Sequence, residues 1–250
     1  MLERPHYRTV VISDVHIGAP HSKVKEAAEF LSSVDCDRLI MNGDGWQLKN
    51  SSDKWTVVHS AFFYVIMKMM EKHSTEVIYV TGNHDDFLDP LVPSKMANIT
   101  LVNEYIIKEK NHSYVVIHGH AFDSITARLT FLAKLGDVAY NLLLKFNNVW
   151  NRARLKRGKE YYSLSKVIKH KVKQAVSAIS GFESDLDSFA RAKGCDGIIC
   201  GHIHTPEDKY LKSGVHYLNS GDWVESLTAL TEDYDGNWSV VKFSDFINRK

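Results

Sequence analysis

A chain of 250 residues with a hydrophobic content of 44% suits one full-sized α/β domain, or a domain that carries a sizeable insertion. The formal net charge is +1, so the overall charge indicates no particular class of binding partner. No stretch of about 18 consecutive apolar residues is present, which excludes a membrane-spanning helix. Cys36, Cys195 and Cys200 form no metal-ligand pattern, which predicts free buried thiols in a reducing compartment. No signal pattern precedes the first predicted strand, so we expect a cytoplasmic protein.

The first half of the chain alternates predicted strands and helices. Apolar runs predict strands at Thr9–Ser13, Arg38–Met41 and Glu76–Val80, and helical spacing of apolar residues fills the intervals at Val24–Leu31 and Val58–Lys72. Strand, helix, strand, helix in this order predicts βαβ units in a parallel sheet.

The later strands indicate a change of pairing. Three of them follow too closely for helices to intervene, which predicts mixed or antiparallel pairing: Ile99–Val102, Tyr105–Ile107 and Ser113–Ile117. After Asp196–Cys200 the chain is predicted to be all-β, with strands at Lys209–Leu211, Val215–Leu218, Leu227–Thr231 and Trp238–Phe243, the last two joined by a turn at Asp235-Gly236-Asn237. We expect two packed sheets with helices outside.

The interval from Asp123 to Asp196 has a different, largely helical pattern. It carries an apolar face at Leu129–Leu143 and a basic stretch, Lys145–Lys173, with ten Lys or Arg against one acid. This predicts a helical cap over residues 124–184, inserted between core segments 1–123 and 185–250. Cationic side chains in the cap are candidates for binding phosphate: Arg154, Lys156, Arg157, Lys166, Lys169 and Lys173.

The apolar and basic faces together predict recognition of an amphiphilic phosphate compound. They are equally consistent with peripheral contact at an anionic membrane, on the inner face, where such substrates reside. The simplest alternative is a solvated basic surface on helices that pack together.

Short polar motifs follow the predicted strands, and they supply the ligand types that hold two divalent cations. The motifs are Asp14-x-His16, Gly43-Asp44, Gly82-Asn83-His84-Asp85, His118-Gly119-His120 and Gly201-His202-Ile203-His204. Each alone has an ordinary interpretation as a turn or a helix cap. All of them in order, each closing a strand, predict a shared metal centre at strand ends.

The spacing of the motifs suggests how the ligands are shared. A carboxylate bridges two cations well, and Asp44 is the candidate bridge. Asp14 and His16 lie two apart on a predicted extended segment, so both point the same way and reach one metal. His202 and His204 have the same spacing and reach one metal each, while Asn83 offers an amide oxygen and His118 an imidazole. This mixed oxygen and nitrogen set suits Mn, Fe, Zn or Co.

The ordered motifs resemble the calcineurin-like metallophosphoesterase superfamily over nearly the whole chain, and within it the UDP-2,3-diacylglucosamine pyrophosphatase-like branch. The segments that carry the resemblance are Val11–Gly18, Gly45-Trp46, Tyr79–Leu88, Gly136–Tyr140, Cys200–Pro206 and Gly221–Glu225.

The resemblance implies a four-layer α/β/β/α sandwich with an inserted helical cap that holds acyl chains. It implies one metal on Asp14, His16, Asp44 and His204, and another on Asp44, Asn83, His118 and His202. It also implies that His84 is a non-ligand that contacts the phosphoryl group.

The chain departs from the lipid A pyrophosphatases of this branch at three places. His84 stands where they have Arg, and His120 stands where they have Asp, which argues against the lipid A precursor itself as the substrate. Gly45-Trp46 also follows Asp44 directly, so the loop beside the bridging ligand is shorter.

These observations predict a two-metal-dependent hydrolase, with Mn²⁺ the expected metal, that cleaves phosphodiester or pyrophosphate bonds in a nucleotide- or lipid-linked phosphate substrate. His84 is expected to neutralise charge on the phosphoryl oxygens and to protonate the leaving group. Asp85 is expected to orient His84 or a ligand histidine, with capping of the next turn as the alternative. A nuclease with a basic cap is disfavoured because the chain shows no base-stacking aromatic series, and a non-catalytic metal-stabilised scaffold because it would not need His84.

Overall fold

The computed structural model describes residues 4–47, 56–109, 112–122 and 181–247. The chain divides into two compact units, one formed by Met1–Ala121 with Asp187–Lys250 and the other by Phe122–Leu186. Residues 123–180 lie outside the described residues, and with them nearly all of the predicted cap and all six of its candidate phosphate-binding side chains. The division into core and cap therefore stays a prediction.

The described residues form two β-sheets and several helices. The strands of the first sheet are β1 (His6–Ile12), β2 (Asp35–Asn42), β3 (Glu76–Val80), β4 (Ser94–Met96), β5 (Ile99–Val102), β11 (Thr228–Glu232) and β12 (Trp238–Lys242). Those of the second are β6 (Tyr105–Lys108), β7 (Ser113–Val116), β8 (Gly197–Cys200), β9 (Glu207–Tyr210) and β10 (His216–Asn219). The helices are α1 (Val24–Ser33), α2 (Val57–His73), α3 (181–192) and α4 (Ser244–Ile247), with single 3₁₀ segments at Asp86–Leu91 and His120–Phe122.

The topology confirms the predicted mixture of parallel and antiparallel pairing. The first sheet has the order β12-β11-β1-β2-β3-β5-β4, in which β1, β2, β3 and β5 run parallel and β11, β12 and β4 pair antiparallel. The second has the order β6-β7-β8-β10-β9, with β7, β8 and β10 parallel. Parallel neighbours present their carboxyl ends at the same edge, which is where α/β proteins place sites.

Alternate residues of the central strands face two different hydrophobic cores. Val10 and Ile12 of β1 belong to a core that includes Phe30 of α1 and Phe62 of α2. Val11, between them, belongs to a second core, built from residues of both sheets: Ile40, Ile78, Leu230, Val116, Ile199 and Leu218. The sheets therefore pack face to face, and both faces of β1 are buried at its C-terminal end, which explains the apolar run Val10-Val11-Ile12 there. Burying each such side chain contributes about 1.5–3 kcal/mol.

The differences from the predicted elements are at the periphery. β9 begins at Glu207, two residues before the predicted start, because it is a half-exposed edge strand that needs little apolar sequence. β4 and α4 were not predicted, since each is too short to show a periodic pattern, and all three residues of β4 are exposed. The three cysteines are free and buried, as predicted. No helix in the described part of the chain has the length and apolar character needed to cross a membrane.

Candidate metal centre

The structure brings the polar motifs together where β1, β2, β3, β7 and β8 end. Asp14 and His16 follow β1, Asp44 follows β2, and His118 follows β7 by two residues. Three groups of side chains have ligand atoms within 4.8 Å of one another: Asp14, His16 and His204; Asp44, His118 and His202; and His16, Asp44 and His84. Buried strand ends thus deliver residues from distant parts of the sequence to one place.

The backbone at these ligand candidates has an unusual conformation. Asp14, His16, Asp44, His202 and His204 all have positive φ angles, between 50° and 66°. The left-handed region costs a non-glycine residue on the order of 1–3 kcal/mol and is concentrated at functional sites. The prediction that Asp14 and His16 lie on an extended segment is therefore wrong. Their side chains converge from a segment with left-handed backbone at both residues, not because a strand repeats every second residue.

Asp14 is the centre of the first ligand group. Its Oδ1 atom lies 3.2 Å from Nε2 of His204 and 3.8 Å from Nε2 of His16. Its Oδ2 atom accepts a hydrogen bond of 3.0 Å from the main-chain N–H of His202. The carboxylate is completely buried, so one oxygen is fixed by the backbone and the other is directed at two imidazoles.

His118 has one ring nitrogen committed to the backbone. Nδ1 lies 2.8 Å from the carbonyl oxygen of Asn42, and since a carbonyl can only accept, Nδ1 carries the proton. In the neutral ring Nε2 is therefore a bare acceptor, and it faces two more acceptors, Oδ2 of Asp44 at 3.3 Å and Oδ1 of Asp14 at 3.9 Å. Fixing one nitrogen in this way is typical of imidazoles that ligate a metal.

The arrangement fits a bound cation. Nε2 of His118 and Oδ1 of Asp14 are buried and have no hydrogen-bond donor among the described residues. Without a cation only a proton can satisfy them. Burial, the largest influence, lowers the pKa of His118, but the carboxylates of Asp14 and Asp44 outweigh it and raise the pKa to about 9. A divalent cation between these acceptors would replace that proton.

The loop after β3 adds the remaining candidates. The main-chain N–H of His84 donates to Oδ1 of Asp44 at 2.9 Å, and Nε2 of its ring lies 3.8 Å from Oδ2 of the same residue. Asn83 is exposed and lines the pocket. Because His84 also forms a ligand group with His16 and Asp44, its role as a non-ligand stays a prediction. A Cβ atom at Gly82 would lie 2.3 Å from Oδ1 of Asp44, so only glycine allows this close approach.

Asp85 and His120 also lie beside the centre. The buried Asp85 carboxylate accepts main-chain N–H groups from the Asp44 loop and from Gly82, so these hydrogen bonds join two loops and do not go to a histidine. The ring of His120 lies 5.6 Å from that of His118 and 6.4 Å from that of His202, between ring centres.

An open pocket of about 350 Å³ leads to the metal centre. It is lined by His16, Ala19, His21, Asp44, Gln47, Asn83, His84, His202, His204 and Val224, with no Lys or Arg in this set of described residues. Among these described lining residues, the histidines are the side chains that can carry positive charge.

Asp222 is a site residue that the motifs did not identify. Its Oδ1 atom lies 4.0 Å from Nδ1 of His204 and accepts the main-chain N–H of Val224 at 2.7 Å. It thus lies near one ring nitrogen of His204, while Asp14 contacts the other. The segment Gly221–Glu225 carried part of the family resemblance, but its spacing gave no reason to assign Asp222 a role.

Comparison with known proteins places this centre in a family. The model of the calcineurin-like phosphoesterase family matches residues 7–206. The chain is 25% identical over 244 residues to a UDP-2,3-diacylglucosamine hydrolase from Shewanella pealeana, covering 92% of this chain and 95% of that protein. It is 24% identical over 243 residues to one from Xanthomonas axonopodis pv. citri, covering 91% and 96%.

Solved structures give a similar but weaker comparison. A novel archaeal phosphodiesterase is 14% identical, with a TM-score of 0.44 and coverage of 93% of this chain and 98% of that one. Vps29 from Chaetomium thermophilum is 10% identical, with a TM-score of 0.45 and coverage of 94% of both chains. The match of the family model over most of the sequence shows that the chain belongs to the calcineurin-like phosphoesterase family and is a metal-dependent phosphoesterase.

Proposed function

We propose that the protein hydrolyses phosphodiester or pyrophosphate bonds with two divalent cations held side by side. The observation that carries this proposal is the set of buried acceptors that face one another, Nε2 of His118 against Oδ2 of Asp44 and Oδ1 of Asp14. Such a set is stable only around positive charge.

The ligand groups divide naturally between two cations. Asp14, His16 and His204 form one group, and Asp44, His118 and His202 form the other. Asp44 also approaches His16, which supports its role as the carboxylate shared by both cations. We propose Asn83, which lines the same pocket, as a further ligand of the second cation. When bound, the cations, for which we propose Mn²⁺, supply Lewis acidity that polarises a phosphoryl oxygen and activates water.

The side chains around this centre carry the rest of the chemistry. His84 has 38% of its side chain exposed and lines the pocket, so its ring is accessible to a phosphoryl oxygen or to the leaving group. Its main-chain N–H is fixed by Asp44, which would hold His84 beside a phosphoryl group bound at the centre. A protonated His84 would neutralise charge on the phosphoryl group and donate its proton to the departing oxygen.

For the substrate we propose a nucleotide- or lipid-linked phosphate. Support comes from the two relatives named UDP-2,3-diacylglucosamine hydrolase, which match nearly end to end. The apolar face of the predicted cap would hold the lipid, and its basic residues would bind the protein to an anionic membrane surface. His84 and His120 replace the Arg and Asp typical of that branch, which favours a related compound over the lipid A precursor itself.

Turnover of bis(p-nitrophenyl) phosphate by the purified protein tests the reaction. We expect activity with added Mn²⁺, its loss on chelation, and its return when Mn²⁺ is restored. Mass spectrometry of products from UDP-2,3-diacylglucosamine and from simpler nucleotide diesters tests the substrate class. No Mn²⁺-dependent turnover of any of these compounds would contradict the proposal, whereas salt-dependent cleavage of DNA or RNA would favour a nuclease.

A further inference from the structure

Two buried side chains hold three consecutive backbone amides after the end of β2. The N–H of Asp44 donates to Oδ2 of Asp85 at 2.7 Å, and the N–H of Trp46 donates to Oδ1 at 3.3 Å. Between them the N–H of Gly45 donates to the phenol oxygen of Tyr79 at 3.2 Å. Tyr79 and Asp85 thus accept consecutive amides of one loop, and we call these two side chains the amide clamp.

The amide clamp acts on Asp44, the proposed shared carboxylate, which belongs to two of the three ligand groups. Asp44 has a φ angle of 51°, a conformation that the surrounding structure must impose. In the reverse direction, Oδ1 of Asp44 accepts the N–H of His84 at 2.9 Å. The loops after β2 and β3 are thus joined twice, once through the side chain of Asp85 and once through that of Asp44, which fixes the direction of the Asp44 carboxylate.

The phenol of Tyr79 packs closely against the loop that follows Asp44. A Cβ atom at Gly45 would lie 2.4 Å from the phenol oxygen of Tyr79, and 3.2 Å from its nearest ring carbons. Gly45 and Trp46 directly follow Asp44 in the sequence. The phenol therefore occupies the place that lets this short loop pass close to β3.

We infer that Tyr79 is a positioning residue for the metal centre. Its hydroxyl group, with Asp85, holds residues 44–46 so that the Asp44 carboxylate reaches both His16 and His118. Tyr79 lies in β3, is 8% exposed, and is absent from the pocket lining, so it acts through Asp44 rather than on the substrate. This inference rests on the two-cation site of the proposed function.

Calorimetric titration of the metal-free protein with Mn²⁺ alone tests the inference. Tyr79→Phe removes only the hydroxyl group, and we expect Mn²⁺ to bind about ten- to a hundredfold more weakly, as for other groups that support metal ligands. The matched control is Tyr114→Phe, since Tyr114 is also buried and its hydroxyl bonds His216 at 2.7 Å, away from the centre. Equal Mn²⁺ affinity in the two variants would overturn the inference.

The same titration separates this inference from the proposed function. If the wild-type protein binds fewer than two Mn²⁺ ions, the two-cation proposal itself fails. If the wild-type protein binds two and Tyr79→Phe binds them with unchanged affinity, only the role of Tyr79 fails.

A double-mutant cycle gives a second test, in which the loop is changed instead of the phenol. Gly45→Ala should weaken Mn²⁺ binding because the new methyl group displaces the phenol. In the Tyr79→Phe variant the phenol oxygen is gone, so the added methyl group has more room. Gly45→Ala should therefore weaken Mn²⁺ binding by a smaller factor there than in the wild-type protein. Equal factors in the two backgrounds would contradict the role of the amide clamp. Gly45→Ala alone keeps the inference falsifiable if Tyr79→Phe does not fold, since unchanged Mn²⁺ affinity in folded Gly45→Ala would also overturn it.

Discussion

Nε2 of His118 and Oδ2 of Asp44 lie 3.3 Å apart, and in the neutral ring neither atom can donate to the other, because Nδ1 of His118 holds the proton that serves Asn42. Positive charge must lie between them, either as a proton on Nε2 or as a metal ion. The two possibilities exclude each other, and this exclusion gives the metal-free protein a distinctive dependence on pH.

We expect the metal-free protein to lose stability at alkaline pH. The carboxylates raise the folded-state pKa of His118 from 6.5 to about 9, despite the opposing effect of burial. A histidine whose pKa is raised on folding stabilises the folded state at pH values below the pKa of the unfolded chain. That stabilisation is lost as the pH rises from about 6.5, the unfolded pKa, through about 9, the folded pKa. Thermal unfolding of chelated protein between pH 6 and 9.5 measures it, with Mn²⁺-loaded protein as the control. A midpoint in chelated protein that does not fall over this range would contradict the prediction.

Replacing the shared carboxylate should remove metal and activity while preserving the fold. In Asp44→Ala the second ligand group loses its only carboxylate, so we expect fewer than two bound metal ions per chain and no measurable turnover. Elemental analysis and circular dichroism check both parts. A folded Asp44→Ala protein with two metals and full activity would end the two-cation hypothesis.

His84 should affect turnover but not metal content. His84→Ala is expected to lower kcat by about 10²–10⁴, the range for a positioned acid or base, because the leaving group loses its proton donor. The control is His59→Ala, which changes a histidine at the start of α2, outside the pocket lining. Loss of metal in His84→Ala would make His84 a ligand, which its proximity to His16 and Asp44 allows. Unchanged kcat of His84→Ala on a substrate with a poor leaving group would show that His84 has no role in the reaction.

The basic cap should matter only for a substrate that carries a lipid. Neutralising Arg154, Lys156 and Arg157 together is expected to raise KM for a lipid-linked phosphate and to leave turnover of a small aryl phosphodiester nearly unchanged. Steady-state kinetics on both substrates measures the difference. Equal losses on both would place these residues in folding or general electrostatics.

The sequence predicted the strands and the family because both depend on local patterns. The apolar run at Thr9–Ser13 and the motif that follows it are read directly from neighbouring residues, and the family match confirms the interpretation of the ordered motifs. The assignment of each ligand to a cation stays a prediction.

The features that escaped sequence analysis depend on tertiary contacts. The left-handed backbone at Asp14 and His16 depends on contacts with neighbouring loops, because Asp and His tolerate this conformation better than most residues but seldom adopt it on their own. Asp222 and Tyr79 matter because the fold places them against His204 and Gly45, and no spacing in the sequence indicates those contacts.

The connection between Asp14 and the main-chain N–H of His202 joins residues 188 positions apart, and β1 pairs with β11 near the other end of the chain. During synthesis the ribosome therefore releases Asp14, His16 and Asp44 long before the histidines that complete their ligand groups. Contacts of such high sequence separation form late and slow the folding of a domain. Complete metal binding is consequently a measure of finished folding. A nascent or truncated chain that ends before β8 lacks His202 and His204, one from each of these two groups, and cannot complete either group.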